Sequence, residues 1–372
     1  MLPSYSRRAV LGTVATVALA GCSGRLPGLG TSGSDPAGVA DLGDGSRPVL
    51  ADSPLYVAHD LAELESRSVS GGPGQDGIPS IDEPIYADAD DEAIDLASNH
   101  PVFGVDIDGD VRAYPQEILV WHEIVNDTIG GEPVAVTYCP LTGTAQGFYR
   151  GETTFGVSGD LVNSNLIMYD RGTGTRWPQI LATGIDGELR GESIAEFRVI
   201  WTTWDRWRSA HPDTRVLTDE TGYRRRYGDD PYGDYEAGSG YYVNDNTLFS
   251  PLERSETAGP KTVVLGTRTP DGAIAFDKEA LLDRRVLKGS IDDVSFVAVV
   301  DDAYDTGYVY HDVDAEVTPV DGENAYRVVD TDASGTDDQR YAPDELPFDR
   351  SLAFDAMFFA WYGFYPEGEY VD

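Results

Sequence analysis

The chain has 372 residues, of which 65 are acidic and 27 are Lys or Arg, so its formal net charge is -38. This charge excludes a nucleic-acid-binding protein, because nothing could neutralise the phosphates, and apolar residues at 41% argue against a disordered acidic chain. Such dense acid is typical of proteins from extreme halophiles, whose hydrated carboxylates are screened in molar salt, where the Debye length is ~3 Å.

The N-terminal segment has the order of an export signal. Arg7 and Arg8 precede an apolar run over 10–20, and Leu-Ala-Gly closes at Cys22. The paired arginines indicate the twin-arginine route. Residues 1–22 are therefore predicted to be a twin-arginine lipoprotein signal, with lipid attached at Cys22. The alternative, a transmembrane anchor with an incidental cysteine, is disfavoured because the run is shorter than the ~20 apolar residues a spanning helix needs.

The mature protein is accordingly expected to be extracellular and anchored to the outer face of the cell membrane, with the lipid membrane as its partner. Residues 23–48 are rich in Gly, Ser, Pro and Asp, a composition that predicts a flexible tether. Residues 49–372 are then left for the folded domain.

Short β-type runs separated by Asp-Gly and Gly-Gly turns dominate that domain. Strands are predicted at 102–107, 134–138, 262–265 and 295–300. Short helices are predicted at 115–125, 195–210 and 348–361. These elements predict an α+β fold that is mostly antiparallel β.

A shift of 162 residues aligns 102–150 with 264–312 without a gap. The matches include Gly104 with Gly266, Ala113 with Ala275, Leu119 with Leu281 and Ile129 with Ile291. This pattern predicts two related halves containing β-β-α-β units in one compact unit, although chance similarity between two β-rich stretches is the alternative. The second copy carries Arg284, Arg285 and Asp301 where the first carries His122, Glu123 and Cys139. A functional site is therefore expected in the first copy.

Several segments in a fixed order resemble the DUF3179 family over roughly residues 75–365. They are Gly-Asp-Val-Arg-Ala-Tyr-Pro (109–115), Trp-His-Glu-Ile-Val-Asn-Asp (121–127), Val-Thr-Tyr-Cys-Pro-Leu-Thr-Gly-Thr-Ala (136–145), Phe-Gly-Val-Ser-Gly (155–159), Leu-Ile-Met-Tyr-Asp-Arg (166–171), His-Pro-Asp-Thr (211–214) and Phe-Phe-Ala-Trp-Tyr (358–362). The N-terminus makes the chain similar to a haloarchaeal-type exported lipoprotein. The resemblance implies a domain without an assigned activity. Many members carry Cys-Pro-Leu-Cys, but Thr142 replaces the second cysteine here, which excludes dithiol chemistry.

Cys139 ends an apolar strand and precedes Pro140, where a strand opens into a loop. With Cys22 lipidated, it is the lone thiol of an exported protein. Three interpretations are open: a buried small hydrophobe, a nucleophile, or a soft-metal ligand.

His122 and Glu123 follow Trp121 on a short predicted helix. A Cys139–His122 pair could activate a thiolate or bind copper or zinc. Two protein ligands are too few for a closed zinc site, so His211 or His100 would have to join through folding. The alternative is a structural helix whose Trp packs and whose His hydrogen-bonds a turn.

The leading hypothesis is a lipoprotein domain that binds a metal or small ligand near Cys139 and His122. The second is a thiol-dependent enzyme with Cys139 as nucleophile, His122 as base and Glu123 beside them. The third is a structural or interaction protein with an inert Cys139. Asn126 begins a glycosylation sequon, and its closeness to the expected site argues against a bulky glycan there.

Overall fold

The computed structural model describes residues 46–235, 238–330 and 339–372. The predicted signal with Cys22 and residues 23–45 of the predicted tether lie outside the described residues. Ser46 and Pro48 are already buried, and Val49 N donates to Tyr149 O at 3.0 Å. The packed domain is thus under way at Ser46, slightly before the predicted boundary at residue 49.

The described chain is mostly β, with helices of only six or seven residues. The helices are α1 (Leu61–Ser66), α2 (Gln116–His122), α3 (Trp204–Ala210), α4 (Lys278–Arg284) and α5 (Phe358–Phe364), with one 3-10 turn at Tyr241–Val243. The first thirteen strands are β1 (Val69–Ser70), β2 (Tyr86–Asp88), β3 (Pro101–Ile107), β4 (Asp110–Pro115), β5 (Ile124–Ile129), β6 (Glu132–Cys139), β7 (Thr144–Tyr149), β8 (Phe155–Val162), β9 (Asn165–Asp170), β10 (Arg176–Pro178), β11 (Glu196–Phe197), β12 (Ile200–Thr203) and β13 (Arg215–Leu217). The others are β14 (Gly233–Asp234), β15 (Ser239–Gly240), β16 (Val263–Arg268), β17 (Ala273–Asp277), β18 (Val286–Ile291), β19 (Val294–Asp301), β20 (Thr306–His311), β21 (Ala315–Pro319), β22 (Tyr326–Asp330), β23 (Gln339–Tyr341), β24 (Asp349–Ser351), β25 (Ala353–Met357) and β26 (Glu369–Val371).

Across the described ranges these strands form seven sheets, and the α+β class with mostly antiparallel pairing is confirmed. The sheet orders are β1-β8-β9-β10, β11-β7-β6-β5, β12-β3-β4-β13-β2, β14-β15, β25-β16-β17-β26, β18-β19-β20-β24 and β21-β22-β23. Parallel ladders join β13 to β4 and β26 to β17.

Four of the sheets share two strand orders. The order β12-β3-β4-β13 matches β25-β16-β17-β26, and β11-β7-β6-β5 matches β24-β20-β19-β18. Helices α2 and α4 end at left-handed residues, Glu123 (φ 59°) and Arg285 (φ 67°). Gly104 and Gly266 each lie against a tryptophan ring, where an added Cβ would stand 2.2 Å from Trp207 or Trp361. Glycine therefore allows the sheet to approach the indole in both places.

Two of the predicted helices begin as strands. The stretch 195–210 forms β11 and β12 before α3, because the β-branched residues of Ile200–Thr203 fit a strand beside β3 better than a helix. The stretch 348–361 likewise forms β24 and β25 before α5. The helix predicted at 115–125 is α2, which stops at Glu123 where β5 begins.

No helix in the described part of the chain combines the length and the apolar character needed to cross a membrane.

Candidate functional site

Cys139 is the last residue of β6 and is 1% exposed. Its S–H donates to Ser164 O at 3.7 Å, and its sulfur accepts from Leu166 N at 3.4 Å. Burial, and after it the charge of Glu123, raises the pKa of the Cys139 thiol to about 11. The thiol therefore stays protonated at neutral pH and ties β6 to the turn between β8 and β9.

Glu123 lies beside this thiol. The residue caps α2 in the left-handed conformation and is 7% exposed, and its carbonyl accepts from Tyr138 N at 2.8 Å. Burial raises the pKa of the Glu123 carboxyl to about 8. The charges of Glu123 and Cys139 contribute, after burial, to a raised pKa at Tyr232. The structure thus brings Cys139 and Glu123 together under the Tyr232 ring.

His122 is fully buried and uses both ring nitrogens elsewhere. Nδ1 lies 2.7 Å from Pro79 O, which can only accept, so Nδ1 carries the proton. Nε2 then accepts from Tyr227 OH at 2.7 Å. Burial lowers the His122 pKa, which favours this neutral form. No hydrogen bond between His122 and Cys139 is found in the described residues, and His122 instead anchors Tyr227.

His211 lies at the end of α3, against a different aromatic group. Its Nε2 is 2.8 Å from Tyr304 OH, its ring is nearly parallel to that of Tyr304, and the Trp207 ring is 4.3 Å away. No group of three metal-ligating atoms found among the described residues includes Cys139, His122 or His211. The hypothesis of a copper or zinc ion held by these three residues therefore has no geometric support.

A layer of tyrosines from the segment after β13 covers the first copy, and the sequence analysis missed it. The Tyr235 and Tyr242 rings stack at 3.7 Å between centroids, and Tyr138 OH is 3.2 Å from Tyr235 OH. Tyr242 OH and Gln116 Nε2 donate to Asp230 Oδ2 at 2.6 and 2.8 Å. The only signal for this layer was the density of tyrosines between residues 223 and 242.

The tyrosine layer borders an open cleft of about 200 Å³ that adjoins His122 through Tyr227. Its lining contains three carboxylates, two tyrosines and no Lys or Arg. The lining residues are His100, Pro101, Gln116, Glu117, Tyr227, Gly228, Asp230, Gly233, Asp234 and Tyr235. Carboxylates together with aromatic rings favour a positively charged ligand.

Asn126 is 1% exposed and is held on both sides of its amide. Nδ2 donates to Asp82 Oδ1 at 2.6 Å and to Phe155 O at 2.8 Å, while Oδ1 accepts from Phe155 N at 2.8 Å. A glycan on Nδ2 is incompatible with this packing, so the sequon is not an acceptor site in the folded domain.

The family model described as "Protein of unknown function (DUF3179)" matches residues 75–368. No curated protein and no solved structure matches the chain.

Proposed function

The chain belongs to the DUF3179 family, and from that premise we propose that it is a cell-surface lipoprotein whose domain binds a small organic cation in the cleft beside His122. The observation that carries this proposal is the cleft lining, which has three carboxylates and two tyrosine rings without a Lys or Arg. This keeps the small-ligand hypothesis and moves its centre from Cys139 to Asp230.

Asp230 is held in place before any ligand arrives. Its Oδ2 accepts from Gln116 and Tyr242, and its Oδ1 accepts from Tyr232 N at 2.8 Å. A carboxylate fixed by three donors loses little side-chain entropy on binding. An ammonium group over the neighbouring tyrosine faces would add roughly 0.5–2 kcal/mol per cation–π contact.

The thiol-enzyme hypothesis receives less support from the geometry. A nucleophilic cysteine needs a lowered pKa and a base within hydrogen-bond reach, whereas burial raises the Cys139 pKa and His122 is bonded to Pro79 and Tyr227. The hydrogen bonds of the Cys139 sulfur to Ser164 and Leu166 favour the inert-thiol interpretation for this residue. That interpretation is compatible with a binding module.

The test is the thermal unfolding midpoint of the mature protein in molar KCl, titrated with choline, putrescine or uncharged glycerol. Both cations should raise the midpoint saturably while glycerol does not, since a ligand that binds only the native state stabilises it. Asp230→Asn should abolish the rise, and Asp219→Asn, an exposed position outside the cleft lining, should retain it. The proposal fails if neither cation acts or if Asp230→Asn responds like the unmodified protein.

The proposed address rests on the N-terminal sequence, with the twin arginine and the Leu-Ala-Gly-Cys site in order. Cys22→Ser should release the protein from the membrane into the medium, and Arg7→Lys with Arg8→Lys should block export. Mass spectrometry of the purified protein should find a lipid at Cys22. A fold that requires molar salt would support the haloarchaeal type.

A duplication is proposed as the origin of the domain. Supporting it, β5 and β18 have bounds 162 residues apart, as do α2 and α4. The later elements β13 and β26 stand 154 residues apart and pair in parallel with β4 and β17. A crystal structure in which the two β-β-α-β units superpose without a break in register would support duplication. Strand pairings shifted between the units would contradict it.

A further inference from the structure

Three potential metal ligands meet at the edge of the sheet formed by β18, β19, β20 and β24. His311 ends β20 and is the register partner of Asp349, which begins β24. Asp312 follows His311 in the left-handed conformation, with φ 54°. One ligand atom from each of these three residues lies within 4.8 Å of the others.

The His311 ring is oriented by a residue outside this trio. Nδ1 lies 2.9 Å from Ser351 Oγ, and no hydrogen bond engages Nε2 within the described residues. A metal-binding histidine commonly has its other ring nitrogen hydrogen-bonded in this way, which fixes the tautomer and the ring direction. With Nδ1 bonded to the serine hydroxyl, Nε2 is available to coordinate a metal.

The carboxylates of the trio have no cationic partner within residues 46–235, 238–330 and 339–372. No ion pair joins Asp312 or Asp349 to a basic side chain there. Arg350 is the neighbour of Asp349, but successive strand residues point to opposite faces, and its guanidinium lies 5.5 Å from the Tyr308 ring centroid. Two negative charges therefore stand beside an imidazole without local compensation.

We propose that His311, Asp312 and Asp349 bind a divalent first-row transition metal, for which Zn²⁺ is the probe. One imidazole and two carboxylates suit such an ion, and three protein ligands leave coordination positions for water or a further ligand. All three side chains are at least partly exposed, so the ion can enter from solvent. The site lies in the second copy, away from the cleft beside His122, and does not depend on the cation proposed there.

The histidine distinguishes this site from general cation binding to an acidic surface. Zn²⁺ titrated calorimetrically into the mature protein in molar KCl should show one saturable site. His311→Ala should weaken it at least tenfold, since loss of even an outer partner of a metal ligand commonly costs about 10–100-fold. Asp349→Asn should weaken it too, whereas the exposed control Asp219→Asn should not.

A second readout uses ¹⁵N-histidine NMR on the same samples. Zn²⁺ should move the His311 Nε2 resonance and leave the His211 resonances in place. Unchanged affinity in His311→Ala, or Zn²⁺ shifts confined to another histidine, would overturn the proposal. Because His311 is only half-buried, the variant should fold, and its unfolding midpoint without metal verifies this.

Discussion

Replacing Glu123 by glutamine should change how the stability of the domain depends on pH. Folding buries the Glu123 carboxyl, so its pKa rises from an ordinary 4.5 to about 8. Between these values the folded protein holds a proton that the unfolded chain releases. The native state then binds more protons, and the free energy of unfolding falls as pH rises through this window.

The magnitude follows from the two pKa values. The interval from 4.5 to about 8, at about 1.4 kcal/mol per pH unit, gives a ceiling of about 5 kcal/mol. Glu123→Gln is neutral at every pH and escapes this loss. Relative to the unmodified protein, it should gain about 4 kcal/mol between pH 5 and pH 8. Desolvation causes the shift, so molar salt should not remove the effect.

The assay is denaturant unfolding of both proteins in molar KCl at pH 5, 6, 7 and 8. Exposed Glu256→Gln is the matched control and should differ from the unmodified protein by no more than about 0.5 kcal/mol throughout. A difference between Glu123→Gln and the unmodified protein that stays constant with pH would refute the reasoning, because it would mean that the Glu123 carboxyl is solvated in the folded state.

Three further perturbations follow from the packing. Cys139 should react slowly with iodoacetamide at neutral pH while folded and rapidly in guanidinium, since burial holds its pKa near 11; rapid native labelling would contradict this. Glu196→Gln should cost about 3–5 kcal/mol in denaturant unfolding, because it leaves the guanidinium of Arg268, only 1% exposed, without its carboxylate; a loss under about 1 kcal/mol is expected only of exposed pairs. Gly104→Ala should cost at least about 1–3 kcal/mol in the same assay, because its Cβ would stand 2.2 Å from an indole ring, and a neutral effect would show that the indole moves freely.

Much of the strand framework could be predicted from local patterns. Apolar runs bounded by Asp-Gly or Gly-Gly turns located β3 and β6 in the first copy and β16 and β19 in the second. The longer predicted helices failed because β-branched residues at 200–203 pair with β3, and such pairing depends on a strand almost one hundred residues away. Helix propensity could not reveal that competition.

The candidate site was only partly predictable, for the same reason. Cys139 at a strand end could be found from the sequence, and so could its neighbour in space, Glu123, as a residue absent from the second copy. The direction of His122 could not, because Pro79 and Tyr227 set it from 43 and 105 residues away. Asp230 gained its role only when Tyr242 folded over it.

The proposed cation site is tested most directly by a crystal structure of the mature protein grown with choline or putrescine. The expected result places the ammonium group in the cleft, within hydrogen-bond or ion-pair reach of the Asp230 carboxylate and against the Tyr227 or Tyr235 ring. A cation bound only elsewhere on the acidic surface, with the cleft closed by its own side chains, would contradict the assignment.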